Sequence, residues 1–283
     1  MPLKKIIYIV SLLLVVSSGN ASTTDSANVE VETRKKQSFY VGSGFGSDML
    51  YSGYSLSKNQ PYYSADMLYS YNSKWTLSAA VINLNGKTPA IAFYDFSAGY
   101  RHIFNNTFDA GASLSAYFTS EKLHEHYFGN FAYLSVSGGV DWYWVYTRAI
   151  YSTILDSKGG HYLQLKNSHY FATRDFMNKK AYVSFNPTVN FVFGDRYKLH
   201  TYTTGGNSGT LPGNMPVTQP QTETTYKSSF GLMDLEFSIP VALNYGAATL
   251  EVEPLYFRPI HKDPDFPSKS SFLLYANLYF RIF

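Results

Sequence analysis

The chain has 283 residues, 23 Lys and Arg against 20 Asp and Glu, a formal charge of +3 and no cysteine. Lack of cysteine excludes disulfides, thiolate metal sites and thiol nucleophiles, and the near balance of charge, closer still without Lys4 and Lys5, gives no basis for binding nucleic acid. Aromatic residues reach 18% while charged ones stop at 15%, below the roughly 25% of an average soluble domain.

Lys4 and Lys5, the apolar run Ile6 to Val16 and the small residues Gly19-Asn20-Ala21 form the three parts of an export signal, so residues 1–21 are expected to be removed before Ser22. The apolar run is too short for a spanning helix, which needs about 20 such residues. Residues 22–37 carry Glu30, Glu32, Arg34, Lys35 and Lys36 with few apolar side chains and read as a flexible lead. From 38 to 283 no helical period is sustained, and strand-like stretches follow one another to the last residue.

Turn residues divide these stretches into about twelve strands. Asn72-Ser73-Lys74, Asn105-Asn106, Ser137-Gly138-Gly139, Asp175 to Lys179 and Gly246-Ala247-Ala248 predict short connections. Between them lie connections that are mostly longer: Ser47 to Gln60, Asn85 to Pro89, Thr119 to His126, Leu155 to Gly160, Asp195 to Lys227 and His261 to Lys269. Leu199 to Thr222 contains no charged residue and is dominated by Gly, Pro, Thr and Asn, which predicts a flexible external loop, as a lid over the mouth or as plain surface.

Within the strands one face is apolar and the other polar or small. Phe108, Ala110, Ala112, Leu114 and Ala116 alternate with Asp109, Gly111, Ser113 and Ser115. Val183, Phe185, Val189, Phe191 and Phe193 alternate with Ser184, Asn186, Thr188 and Asn190. Met233, Leu235, Phe237, Ile239, Val241 and Leu243 alternate with Asp234, Glu236, Ser238 and Asn244. In the last strand Phe272, Leu274, Ala276, Leu278, Phe280 and Ile282 oppose Ser271, Tyr275, Asn277, Tyr279 and Arg281. A soluble sandwich alternates in the same way, with its polar face outside. Aromatics near strand ends (Tyr62-Tyr63, Tyr69, Tyr71, Trp142 to Trp144, Tyr146, Tyr256-Phe257) and charges of both signs on the polar faces favour a transmembrane antiparallel β-barrel with interfacial girdles and an enclosed lumen.

The signal, the strand succession, the short turns and the closing segment Leu278-Tyr279-Phe280-Arg281-Ile282-Phe283 resemble the outer-membrane β-barrel proteins of Gram-negative bacteria, and among them small porins of the TorF type. The resemblance implies residence in the outer membrane, contact with its lipid and lipopolysaccharide, insertion by the barrel-assembly machinery and passage of small polar solutes. The C-terminal Phe283 matches the export signature of such barrels yet shares its parity with Arg281, Tyr279 and Asn277. Recognition is then expected to rest on Phe280 and Ile282, with room for a bulge near the end.

Asp66, Asp95, Asp109, Asp234, Glu236, Glu251 and Glu253 fall on the polar faces with Arg101 and Arg281 as the clearest basic partners, and these nine are the expected pore-lining residues. Asp234 and Glu236 should neighbour Glu251 and Glu253, where like charges repel unless a cation, a proton or Arg281 intervenes. The arrangement reads equally as an acidic constriction that prefers cations or as a salt-bridged filling of a narrow barrel. His124-Glu125-His126 puts two imidazoles on one side of an extended segment, too few for a metal site without a third ligand. His102, His161, His169 and His200 show no pairing with a serine that would define catalysis. An outer-membrane hydrolase or acyltransferase, or a structural or adhesive barrel, are the alternative expectations, and no metal or cofactor is expected.

Overall fold

A computed structural model of the protein describes residues 37–51, 54–87, 89–123, 129–155, 160–178, 180–204, 221–261 and 269–283. The proposed export signal, the lead before residue 37 and the His124-Glu125-His126 segment lie outside them.

The strands are β1 (Gln37–Gly46), β2 (Tyr62–Tyr71), β3 (Trp75–Leu84), β4 (Phe93–Ile103), β5 (Phe108–Thr119), β6 (Phe131–Asp141), β7 (Tyr146–Ile154) and β8 (His161–Ser168, resuming at Phe171–Ala172). They continue with β9 (Ala181–Phe185 and Thr188–Thr204), β10 (Gln221–Ser238 and Val241–Tyr245), β11 (Ala248–Pro259) and β12 (Ser271–Arg281). Each pairs antiparallel with the next, and β12 returns to β1 through Tyr40↔Arg281 to Gly46↔Tyr275, closing a twelve-stranded barrel. Closure leaves no unpaired edge.

Three neighbouring strands are broken side by side, at His169-Tyr170, Asn186-Pro187 and Ile239-Pro240, yet each resumes in the register it left. Pro187 and Pro240 have no amide hydrogen to give the ladder, so the pairing lapses there while the direction is kept. The connections at one end of the barrel are mostly longer than those at the other. Asn72 and Ser73, and Met177 and Asn178, adopt positive φ in the short turns, as tight connections between strands require.

Several expectations change. Ser137, Gly138 and Gly139 are strand residues of β6, and the turn is Trp142 to Val145, with Tyr143 at φ 79°. Gly139 is a space within the wall, since a Cβ there would strike the Tyr146 hydroxyl. The Asp195 to Lys227 stretch is not all loop: β9 runs on to Thr204 and β10 begins at Gln221, paired throughout as Asp195↔Phe230 to Thr204↔Gln221. Thr and Tyr suit a two-stranded ribbon as well as their lack of charge suits a loop. Met233 leaves the apolar face because a bulge sets it and Asp234 against Val192, and Met233 is buried.

The outward parity carries Leu77, Phe96, Leu114, Leu134, Val136, Phe191, Phe237, Leu243, Leu250 and Leu274, all exposed. An apolar surface that runs around the whole barrel is too extensive for a water-soluble monomer. Tyr62 and Phe257, expected in a girdle, are buried on the inward face instead. At the chain's end Phe39 receives a hydrogen bond from the Ile282 amide at 2.8 Å and gives one to the Phe283 carbonyl at 3.3 Å, so two residues oppose one. The local irregularity returns Phe283 to the outer surface, where it stacks on Phe39 with centroids 5.8 Å apart.

Candidate functional site

The inward faces build three layers. At the end with the longer connections, the Ser47 to Pro61 segment turns into the barrel, forming a two-rung hairpin (Leu50↔Ser55, Tyr51↔Tyr54). Met49 and Leu56 join Tyr62, Ile82, Leu84, Ala92, Phe93, Tyr117 and Leu123 in one apolar cluster, and Leu50 joins Leu255, Phe257 and Leu273 in another. Tyr275 packs against both. Burying each such aliphatic side chain stabilises the inward fold by roughly 1.5–3 kcal/mol.

A loop placed in an interior must satisfy its own polar groups. Asp48 does much of this: it accepts hydrogen bonds from the Ser55 and Ser57 hydroxyls at 2.6 Å each. The Met49 amide donates to Ser57 Oγ at 2.9 Å and the Leu56 amide to the Met49 carbonyl at 2.7 Å. Met49 and Ser57 are both 0% exposed. The segment is therefore a folded plug.

The acidic layer begins alongside these clusters, where Asp95 pairs with Tyr117 and Glu236 with Phe257. Register places Asp66 between Gly42 and Ala80, and Asp95 between Ala80 and Tyr117. Across the lumen stand Asp234 and Glu236 of β10 and Glu251 and Glu253 of β11. Asp66, Asp95 and Asp234 are buried. Asn190 Nδ2 donates to Glu236 Oε2 at 2.8 Å, Ser238 hydrogen-bonds to Glu253, and Asn277 to Glu251. Arg281 does not reach this group: it sits at the far rim opposite Tyr40 and is exposed. The cation whose field reaches Glu236, Glu251 and Glu253 is Lys166 of β8, which sequence reading overlooked. Its signal was present, since Gln164 and Lys166 alternate with Leu163 and Leu165.

The third layer closes on an ion pair. Arg101 Nε and Nη2 donate to the two Asp109 oxygens at 3.1 Å each, and the Tyr146 hydroxyl donates to Oδ2 at 2.7 Å. Arg148, also overlooked, donates to Ser137 Oγ at 3.1 Å. Two-point guanidinium–carboxylate pairing fixes both partners and stiffens the wall.

The nine expected residues thus all lie on inward strand positions, but in two separate groups with Arg281 in neither. His102, His161 and His169 take outward positions, beside Tyr100, Tyr151 and Phe171 respectively. They do not converge on one another.

The molecule is a closed antiparallel β-barrel with a charge-bearing lumen. No known protein family matches its sequence, and no curated protein does. Solved structures to which it is similar include a KdgM porin, with 10% identity over 85% of this chain and 98% of that one and a TM-score of 0.46. An outer membrane channel from Pseudomonas putida F1 has 9% identity over 95% and 100% of the two chains, with a TM-score of 0.46. LpxR from Salmonella typhimurium has 9% identity over 85% and 99%, with a TM-score of 0.45. Likenesses of this size define neither a family nor an activity.

Proposed function

We propose that the chain is an outer-membrane, porin-like channel of a Gram-negative bacterium, passing small polar solutes with a preference for cations, and held shut at its external mouth by the Ser47 to Pro61 plug. The observation that carries this reading is the joint one: an apolar exterior around the full circumference, with an interior in which Asp66, Asp95, Asp109, Asp234, Glu236, Glu251 and Glu253 outnumber Arg101, Arg148 and Lys166. An apolar exterior suits lipid, and a surplus of carboxylates along an enclosed path attracts cations and repels anions. Insertion by the barrel-assembly machinery and contact with lipopolysaccharide belong to the same proposal, as does removal of residues 1–21. His102, His161 and His169 point outward and apart, and so do not assemble a catalytic group for the enzyme alternative.

The test is conductance in a planar bilayer. The full chain should conduct rarely, and a variant with Asp48 to Gln60 replaced by a short Gly-Ser linker should conduct steadily, with a reversal potential in a salt gradient that favours cations. Changing Glu251 and Glu253 to Gln in that background should move the reversal potential toward non-selectivity. Correct insertion of the shortened variant without any conductance would remove the channel reading.

A further inference from the structure

The breaks at His169-Tyr170, Asn186-Pro187 and Ile239-Pro240 leave a mark on the outer wall. Beside them an open furrow of about 560 Å³ crosses β8 to β12, following the hydrogen-bonding direction and not any single strand. One bank is an outward row joined rung by rung as Asn167↔Val189, Val189↔Phe237, Phe237↔Tyr256 and Tyr256↔Phe272. The facing bank is His169, Pro187, Ile239 and Pro254. Proline rings are tied back to their own nitrogen, so this bank stands low. The floor is the backbone of Ser168, Thr188, Ser238 and Leu255, whose side chains are buried on the inward side. That backbone is spent on the ladder, as Ser168↔Thr188, Thr188↔Ser238 and Ser238↔Leu255. At the break the His169 and Ile239 amides donate to the Pro187 and Pro254 carbonyls, each at 3.2 Å.

We propose that this furrow binds one acyl chain of a membrane phospholipid, with the head group at the Asn167 and His169 end. The proposal rests on the lipid-facing exterior of the channel reading and not on conduction. A guest with hydrogen bonds to make would lose water and gain little from a floor already paired, whereas a hydrocarbon chain gains contact along its whole length. The proportions fit a chain: four strand spacings make the furrow roughly 19 Å long from β8 to β12. Phe237, Ile239 and Phe272 are exposed, so the furrow is continuous with the apolar outer face. Its two ends differ. Tyr256 and Phe272 stand at the β12 end, by the longer connections, and Asn167 and His169 stand at the β8 end, beside Val145 of the turn before β7. Polar side chains at one end and mostly carbon along the rest suit an amphiphile, whose head then lies on the short-turn side.

Native mass spectrometry tests the site on the full chain, refolded in a short-chain detergent with dipalmitoyl or dihexanoyl phosphatidylethanolamine. One dipalmitoyl lipid should stay bound after the surrounding lipid is stripped, and the dihexanoyl lipid should not, because retention grows with the number of buried methylenes. Ile239→Trp puts an indole into the furrow and should lose the bound lipid, whereas Leu114→Trp, on the outer face of β5, should keep it. Asn167→Ala with His169→Ala should lower retention, and palmitate added in equal amount should not take the lipid's place. A wild-type chain that keeps no lipid, equal retention of the long and short lipids, or like behaviour of the two tryptophan variants overturns the site. Replacement by palmitate, or full retention without Asn167 and His169, overturns the phospholipid as its occupant. If Ile239→Trp fails to assemble, the comparison of long and short lipids on the unaltered chain decides. A silent bilayer would end the channel reading and leave this spectrum unchanged, and a conducting chain can still fail to keep a lipid.

Discussion

At the scale of single residues the lumen is shaped as much by missing side chains as by present ones. Tyr62 lies over Gly46, Tyr279 over Gly42, Tyr162 over Gly194 and Tyr146 over Gly139, each pair on adjacent strands. A Cβ on Gly139 would also come within 2.6 Å of Asp109 Oδ2, the atom that receives the Tyr146 hydroxyl and Arg101. Gly138, one residue away on the outer face, has nothing within 4 Å of the same position. Gly139→Ala should therefore destabilise the barrel by about 1–3 kcal/mol through overpacking, and Gly138→Ala should stay within about 0.5 kcal/mol of wild type. Urea unfolding followed by tryptophan fluorescence compares them, and equal midpoints would refute the tyrosine-over-glycine packing. The carboxylates were legible in the sequence because parity alone assigns them to a face. The glycines were not, since a glycine between strands and a glycine within one look alike until the neighbouring tyrosine is placed.

At the scale of strands, alternation settles which residues face outward and pairing settles how deep they sit. Leu114 lies mid-strand in β5, paired with Ala98 and Leu134, whereas Phe272 is the second residue of β12, at the edge by the longer connections. A cationic side chain on a lipid-facing surface costs roughly 2–4 kcal/mol at mid-depth and about 0–1 kcal/mol near the interface. Leu114→Arg should thus impair assembly into lipid vesicles far more than Phe272→Arg. Similar yields of folded protein from both would mean that the outer face does not meet hydrocarbon. Face assignments in β5, β9 and β12 were readable from the sequence. Met233 was not, because a bulge is a property of two strands and its sequence has no pattern of its own. The length of the β9–β10 ribbon was hidden for a similar reason: weak alternation with Thr and Gly cannot separate a paired ribbon from a loop.

For the whole molecule, the decisive feature is that a connection between β1 and β2 supplies the inner packing of the mouth. The sequence marked Ser47 to Gln60 as a connection, but an apolar residue in a loop does not say which way the loop folds. Met49 and Leu56 make the direction testable. Met49→Asp puts a charge among Ile82, Leu84 and Phe93, a placement that apolar surroundings oppose strongly. The plug should leave while the barrel stays paired, so open events in a bilayer should become roughly tenfold or more frequent, the ratio expected if the closed state loses about 1.4 kcal/mol or more. Unchanged gating with intact heat-dependent gel mobility would show that the plug does not control passage.

The join between β1 and β12 also governs how the chain can fold. Ser47 Oγ accepts a hydrogen bond from the Leu274 amide, a contact 227 residues apart in the chain. Until that seam forms, the first and last strands each carry a row of bare amides and carbonyls, the state most open to mispairing. Contacts this distant in sequence are slow to establish, and every β-strand before the last can already be paired with its predecessor. Ring closure is accordingly the late step, and replacing Phe39 and Phe283 together by Ala should lengthen it in refolding time courses while leaving early strand content unaltered.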